Sequence, residues 1–295
     1  MSKRFGNHLA VDALSLNVPA GSVYGFIGPN GSGKTTTLRM IMNIFYPDSG
    51  AIRVFGETLH GSCTDRIGYL PEERGLYKKM KLREMLVFYG SLKNPKGVKA
   101  EVDAWLRRLD LAAWAEKKVE TLSKGMSQKA QFIAAVAARP ELLILDEPFS
   151  GLDPVNAEVL REAVLDLQKR GTTVIFSTHD MNVAERMCDF IFMIFKGRKV
   201  LDGTLSSIQD AYGNDTLRVQ TQDGHGALAD LAGVEKISDF GRVQELRMAP
   251  GADSQAILAA LMAKTRVTSF EVARPSLNDI FIRIAGPEAR EASHV

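Results

Sequence analysis

The nine residues Gly28-Pro29-Asn30-Gly31-Ser32-Gly33-Lys34-Thr35-Thr36 limit what this chain can fold into more than any other stretch. They spell G-x-x-x-x-G-K-T, the phosphate-binding loop pattern. Gly28, Gly31 and Gly33 permit turns that a Cβ would hinder, so successive N–H groups can converge on phosphate oxygens. Lys34 supplies a point charge for β- and γ-phosphates, and the Thr35 hydroxyl is a ligand for Mg²⁺. The flanks agree. Val23–Ile27 reads as a short buried strand, and residues 34–45 read as a helix with Leu38, Ile41, Met42 and Phe45 at helical spacing. The loop then lies at a helix N-terminus, where the dipole favours anions. A glycine-rich turn is the plain alternative. A bare G-x-G would leave that alternative open; nine matching residues in strand–loop–helix order do not.

At 295 residues there is room for one full domain and a smaller one, or for two medium ones. Hydrophobic residues make up 45%, charged residues 24%, and the net charge is +2, so the charge balance implies no strong attraction to nucleic acid or to an acidic membrane surface. Cys63 and Cys188 are far apart and lack companion His or Cys spacing. That argues against a disulfide framework or a zinc site and makes a reducing cytosol the expectation. No apolar run approaches the length of a membrane span. Met1–Phe5 lacks the apolar core of a signal peptide, so any membrane role is expected to come through a partner.

Along the chain, Leu14, Leu16 and Val18 alternate as a half-buried strand would. Short strands are expected at 51–55 and 67–70. From Leu82 to Arg139 the character is helical, with Leu86, Tyr89 and Leu92 on one stripe and Val102, Trp105, Leu106 and Leu109 on another. An Ala-rich helix over 128–138 stops at Pro140. Leu142–Leu145 is a four-residue apolar run, as in a strand buried on both faces of a parallel sheet. A helix from Asp153-Pro154 to about Arg170, a strand over 172–176, a short helix over 182–187 and strands over 190–195 and 199–201 follow. This alternation argues an α/β core with a mainly parallel sheet. After a break at 203–213 the order is strand (216–221), helix (226–231), strands (234–239 and 243–248), helix (253–264), strand (267–272) and helix (276–284), suggesting a small ferredoxin-like sandwich. Ser276 and Asp279 have capping-box spacing.

Two further constellations carry chemistry. Asp146 and Glu147 follow the apolar run directly. Asp146 emerges at the strand's carboxyl end, where it can hold Mg²⁺ through water, and Glu147 is placed to polarise an attacking water as general base. An acidic strand end beside a helix cap is the bland reading, and the phosphate-binding loop in the same chain outweighs it. Ser123 and Gly125, within Leu122-Ser-Lys-Gly-Met126, precede the Ala-rich helix. Ser123 can donate to a phosphate and Gly125 exposes N–H groups at a helix start; alone, the pair is an ordinary N-cap.

In order, the chain carries GPNGSGKTT, LSKGM, LLILDEP, SGLD at Ser150–Asp153 and STH at Ser177–His179. This resembles the nucleotide-binding subunits of ABC transporters, over about residues 3–203. LSKGM stands where the family has LSGGQ, with Lys124 and Met126 as departures that keep the serine and glycine. The resemblance implies that Asp153 lies in the loop at a subunit interface and that His179 contacts the γ-phosphate. It implies a magnesium-sensing role at Glu72, where the family has glutamine. It implies adenine stacking on Phe5, although little chain precedes it; a core-facing phenylalanine is the alternative reading of Phe5.

The phrasing LSKGM-x-QK, PEERGLY and LLILDEPFSGLDP is most similar to exporter ATPases of the sodium-extrusion and drug-resistance types, whose permease is a separate chain. The expected organisation is an ATP-binding domain over 1–203 with a helical subdomain at about 73–139, a linker over 204–213, an accessory α+β domain over 214–286 and a tail over 287–295. The resemblance further implies ATP and Mg²⁺ as cofactors. It implies a homodimer or heterodimer in which ATP sits between residues 28–36 of one subunit and Ser123–Gly125 of the other. The expected location is cytoplasmic, on the inner face of the membrane, by way of a permease. Two alternatives are weighed. An ATPase of this family acting on nucleic acid or ribosomes usually has long coiled-coil insertions or two cassettes in one chain, and here there is one phosphate-binding loop and near-neutral charge. A low-turnover scaffold is opposed by the full set Lys34, Asp146, Glu147 and His179.

Overall fold

The computed structural model describes residues 1–286 except 74, 214, 224, 225, 227, 229 and 240. The expected tail, and part of the helix expected over 226–231, lie outside the described residues. The chain divides between Thr204 and Leu205 into two compact units.

In the first unit, β1 (Lys3–Phe5) and β2 (His8–Val11) form an antiparallel pair. The strand expected at Leu14–Val18 is absent, because Ala13 takes φ 48° and turns the chain out of that ladder. Leu14, Leu16 and Val18 still pack into the apolar core. Next come β3 (Val23–Ile27) and α1 (Lys34–Ile41). The helix is one turn shorter than its apolar spacing suggests, since Asn43 adopts φ 59°. In place of one strand over 51–55 there is a tight hairpin, β4 (Arg53–Val54) and β5 (Glu57–Thr58), turning through Phe55 and Gly56 at φ 56° and 80°. Two residues with positive φ are what a two-residue hairpin of this hand requires. Then follow β6 (Ile67–Leu70), α2 (Leu82–Lys93), α3 (Val98–Arg108) and α4 (Lys124–Val136).

The inward face of α2 is Leu82, Met85 and Leu86, with Tyr89 half-buried. Leu92, expected on that stripe, is exposed, and the neighbouring inward position is filled by Lys93, whose Nζ donates to the carbonyls of Thr64 and Ile67. The α3 stripe Val102, Trp105, Leu106 and Leu109 is buried throughout, with the Trp105 ring edge-on to Phe132 at 5.6 Å. The rest of the unit is β7 (Leu142–Asp146), α5 (Pro154–Lys169), β8 (Thr173–Thr178), α6 (Met181–Met187), β9 (Phe190–Phe195) and β10 (Arg198–Thr204).

One six-stranded sheet joins them in the order β10-β9-β3-β8-β7-β6, parallel except at β9–β10. Every residue of β3 and β7 is buried, which is why both read as unbroken apolar runs rather than alternating ones. Alternate side chains serve opposite faces. Leu143 and Leu145 pack with the helical block and α5, whereas Ile144 packs with Phe26, Phe192 and α1. Each such buried aliphatic side chain contributes roughly 1.5–3 kcal/mol. The parallel pairing sets the carboxyl ends of β3, β8, β7 and β6 side by side, where open α/β sheets bind ligands.

The second unit opens with α7 (Leu205–Ala211), where sequence suggested only a linker. Ile208 is buried, and Asp210 and Gln209 bind Arg274 and the Pro275 carbonyl at 3.0 Å each, so the segment is structural. The unit continues with β11 (Thr216–Thr221), β12 (Val234–Asp239), β13 (Gln244–Met248), α8 (Ser254–Lys264), β14 (Val267–Ala273) and α9 (Leu277–Ala285). Its antiparallel sheet runs β12-β13-β11-β14, with the first and third strands central, the order of a split βαβ sandwich. The Ser276–Asp279 capping box is formed at the start of α9.

Gly68 on β6 lies against α4: a Cβ there would stand 2.3 Å from the Ala135 carbonyl oxygen and 2.9 Å from Pro140. Gly68→Ala is expected to destabilise the first unit by about 1–3 kcal/mol, read as a lower urea midpoint. Gly75→Ala, at a glycine with open space around it, should leave the midpoint in place.

Candidate nucleotide site

The loop after β3 has the backbone its glycines allow. Gly28, Gly31 and Gly33 take φ 151°, 72° and 105°. A Cβ on Gly28 would stand 2.2 Å from the Ile194 carbonyl oxygen, and one on Gly33 2.5 Å from that of Ala10. Lys34 is 6% exposed, and its Nζ donates to the carbonyls of Gly28 (2.7 Å) and Pro29 (3.0 Å). Burial lowers the Lys34 pKa from its ordinary value; the carboxylates of Glu147, Asp146 and Glu72, in that order, act against the shift. The Ser32 hydroxyl is buried and has no hydrogen-bond partner among the described residues.

At the end of β7, Asp146 is wholly buried. Its Oδ1 accepts from the Ser177 hydroxyl on β8, while its Oδ2 has no hydrogen-bond partner among the described residues. A buried carboxylate oxygen without a donor is costly unless a cation or its water shell meets it. This donor set therefore fits Mg²⁺, a hard cation that takes oxygen ligands and keeps waters.

Glu147, the next residue, sits at φ 49°. For a side chain of this kind that conformation costs about 1–3 kcal/mol and persists only where its surroundings hold it. The surroundings here are β8 and its loop. The Glu147 N–H donates to the Ser177 carbonyl (3.1 Å) and lies 3.3 Å from the Ser177 hydroxyl oxygen. Thr178 Oγ1 is 3.4 Å from Glu147 Oε2, and His179 Nδ1 is 2.8 Å from Oε1. Glu147 is nearly buried, whereas the His179 side chain is 54% exposed, so the imidazole is presented to incoming groups while it orients the carboxylate.

A cavity of about 340 Å³ is lined by Phe5, Asn30, Gly31, Gly33, Lys34, Thr35, Thr36, Glu72 and Glu147, together with His8 and Ala10. Phe5 is 42% exposed, with its ring edge-on to Phe45 at 5.4 Å; it is a wall of the cavity and not a core side chain. Gly28, Pro29 and Ser32 belong to the same loop but are not among the cavity walls; Asp146 ends β7, and His179 directly follows β8. Ser123 and Gly125 are not among the cavity walls. Ser123 is the exposed N-cap of α4, its hydroxyl accepting from the Met126 N–H at 3.3 Å.

Four contributors escaped the sequence. His8 and Ala10 reach the cavity because β2 turns back beside Phe5. Ser177 fastens both acidic residues, although its place in S-T-H gives it no separate signal. Gln128, buried on α4, donates to the Pro148 carbonyl at 2.9 Å and ties that helix to the segment after Glu147. The two amides Gln128 and Gln131 on the Ala-rich helix are the signal that could have found it.

A protein of Bacillus subtilis described as an uncharacterized ABC transporter ATP-binding protein, YhaQ, is 42% identical over 288 residues, 97% of each chain. The chain belongs to the ABC transporter ATP-binding proteins. The family model for the ABC transporter matches residues 11–150, and one for the C-terminal domain of DrrA1-3-like ATP-binding proteins matches 203–285. This ABC ATP-binding protein is also 33% identical to a Nod factor export ATP-binding protein I of Burkholderia lata, over 99% of this chain and 97% of that one. It is 31% identical to the daunorubicin resistance ATP-binding protein DrrA3 of Streptomyces coeruleorubidus, over 98% and 95%. The solved ATP-binding subunit of an ABC transporter superposes with a TM-score of 0.67 at 30% identity, over 72% of this chain and 90% of that one. The protein is thus an ATPase of the ABC fold, homologous to drug-resistance and Nod factor export ATPases.

The strain at Glu147 can be measured. Glu147→Gly and Glu147→Ala both remove the carboxylate, but only glycine relaxes at φ 49°. The glycine variant should be more stable than the alanine variant by about 1 kcal/mol in thermal or urea unfolding; equal midpoints would show no strain.

Proposed function

We propose that this ABC ATP-binding protein drives export through a separate integral membrane permease, acting as one of two cassettes that face head to tail. The observation that carries the proposal is that Ser123–Gly125 stand outside the cavity that gathers Phe5, Lys34, Thr35, Glu72 and Glu147. An exposed serine-capped helix start that serves no phosphate in its own chain is suited to one presented by a second chain, homologous or identical. No described helix is long and apolar enough to cross a membrane, so the transport path belongs to the partner. The relatives described as serving Nod factor export and daunorubicin resistance support the outward direction.

Each residue then has a task. Phe5 stacks on adenine, and the N–H groups of 28–36 with Lys34 hold the phosphates. Thr35, Asp146 and Glu72 would hold Mg²⁺, which would supply charge neutralisation at the phosphates. Glu147, aimed by His179 and Ser177, orients a water and accepts its proton. His179, exposed beside it, stabilises charge on the γ-phosphoryl as it transfers. ATP bound between two cassettes favours the closed pair, and hydrolysis withdraws that preference.

Glu147→Gln should bind ATP, form a dimer by light scattering, and hydrolyse ATP about 10²–10⁴ times more slowly than the wild type. Undiminished turnover would remove Glu147 from its role. Ser123→Arg should bind ATP with wild-type affinity yet stay monomeric; ATP-induced dimers of Ser123→Arg would overturn the head-to-tail arrangement. A polytopic membrane protein that copurifies with the wild type and is released on washing with ATP-free buffer plus Ser123→Arg competitor is not required by the cassette chemistry, so its absence from native membranes would overturn the permease coupling alone.

A further inference from the structure

Away from the nucleotide site, the β4–β5 hairpin and the short 3-10 turn Gly61–Arg66 bring together Glu57, His60 and Cys63, whose donor atoms all lie within 4.8 Å of one another. Glu57 Oε2 is 3.2 Å and Cys63 Sγ 3.5 Å from the same nitrogen, His60 Nε2. The other ring nitrogen, Nδ1, is held 2.8 Å from the Ser62 hydroxyl. We propose that Glu57, His60 and Cys63 form a three-ligand site for a zinc-class divalent cation, with a fourth position left to water.

Two independent features carry this. The first is spacing. Tetrahedral zinc with bonds of about 2.0–2.3 Å to O, N and S requires ligand–ligand edges of about 3.3–3.6 Å; the two contacts at Nε2, 3.2 and 3.5 Å, are within about 0.1 Å of that range, and the remaining Glu57–Cys63 edge is at most 4.8 Å. The second is the outer contact. A metal-bound histidine characteristically uses its remaining ring N–H on a fixed acceptor, which sets the tautomer and aims the lone pair. Ser62 is placed to do this at Nδ1, leaving Nε2 facing both other donors. The ligand chemistry is mixed thiolate, imidazole and carboxylate, a borderline-soft set that suits Zn²⁺ and not Mg²⁺ or Ca²⁺. The local fold supports it, because Cys63 is buried at 2% exposure while Glu57 and His60 are exposed, giving a site anchored from below and open to solvent.

The sequence reading set a zinc site aside because Cys63 lacks a neighbouring Cys or His in the familiar pairs. The spacing here is Glu-x-x-His-x-x-Cys, and a hairpin plus a 3-10 turn, not a helix or knuckle, brings it together. The site precedes β6, whereas Glu72 follows that strand at its far end. At about 3.3 Å per strand residue, the two lie well apart, and the inference does not depend on the transport reading.

The test uses the full-length chain without a histidine tag, in excess Mg²⁺, titrated with Co²⁺. The expected result is one equivalent bound with a thiolate-to-cobalt charge-transfer band and the visible bands of a tetrahedral centre, both abolished by Zn²⁺. Cys63→Ser should lose the charge-transfer band. His60→Ala and Glu57→Gln, at exposed positions that leave the fold intact by circular dichroism, should each weaken Co²⁺ binding at least tenfold. Cys188→Ser should keep the band, since that thiol is packed against Gly25 and burial raises its pKa. Wild-type protein with no band, a band that survives Cys63→Ser, or affinity unchanged by His60→Ala would overturn the proposal and leave the three side chains as hydrogen-bond partners only.

Discussion

Everything at the nucleotide site depends on the parallel pairing of β7 with β8. Asp146 stands opposite Ser177 in that register, and Ser177 binds both Asp146 and Glu147 through its hydroxyl and its carbonyl. A shift of one residue would turn every side chain of β7 to the other face, replacing Asp146 by Leu145 at the strand end. The register is held by burial on both faces of β7, with Leu143 and Leu145 packed to one side and Ile144 to the other. The apolar run therefore does two things at once. It stabilises the sheet, and it positions a carboxylate whose second oxygen is left for a cation.

The backbone at Glu147 extends the same logic. Its left-handed conformation is unfavourable alone and is imposed by two hydrogen bonds to Ser177 together with the β7–β8 ladder. The result is that Glu147 turns out of the strand direction toward Thr178 and His179, where Asp146 does not. Two adjacent carboxylates thus acquire different surroundings, one enclosed and one beside an exposed imidazole. Side-chain identity alone does not make that separation; the turn between them does.

How much of this was legible in the sequence follows from which forces are local. The loop from Gly28 to Thr36 and the run Leu142–Glu147 declare themselves because each writes its demand into consecutive residues: positive φ at three glycines, and burial on both faces as an unbroken apolar run. The strand over 14–18 was misread because Ala13 breaks a ladder whose partner, β1, lies earlier in the chain, and alternation does not report a missing partner. The helix at 205–211 was missed because a polar segment gains its stability from Ile208 and from Asp210 and Gln209 binding residues 274 and 275, more than sixty positions on. Periodicity places Leu92 inward, but Lys93 takes the inward position because the carbonyls of Thr64 and Ile67 need a donor. The roles of Ser177 and Gln128 were invisible for the same reason: each acts on a residue at least twenty positions away.

Charge makes a last argument about the site. Glu147, Asp146 and Glu72 all act on Lys34, three carboxylates against one ammonium. A triphosphate entering that field meets more negative charge than positive, and Glu72 adds to the excess. The loop N–H groups and the helix dipole offset part of it, but each contributes only a partial charge. Two of the three Lys34 N–H donors are engaged by the carbonyls of Gly28 and Pro29. A divalent cation would relieve that excess, and the unpartnered Oδ2 of Asp146 is where the described residues fit one. On the proposed role of Glu72 as a magnesium ligand, a cation would neutralise it when nucleotide is present and none would do so when it is absent. On that account, a carboxylate in this position makes nucleotide affinity more dependent on the cation than an amide would, and it does so without altering any contact to the phosphate itself.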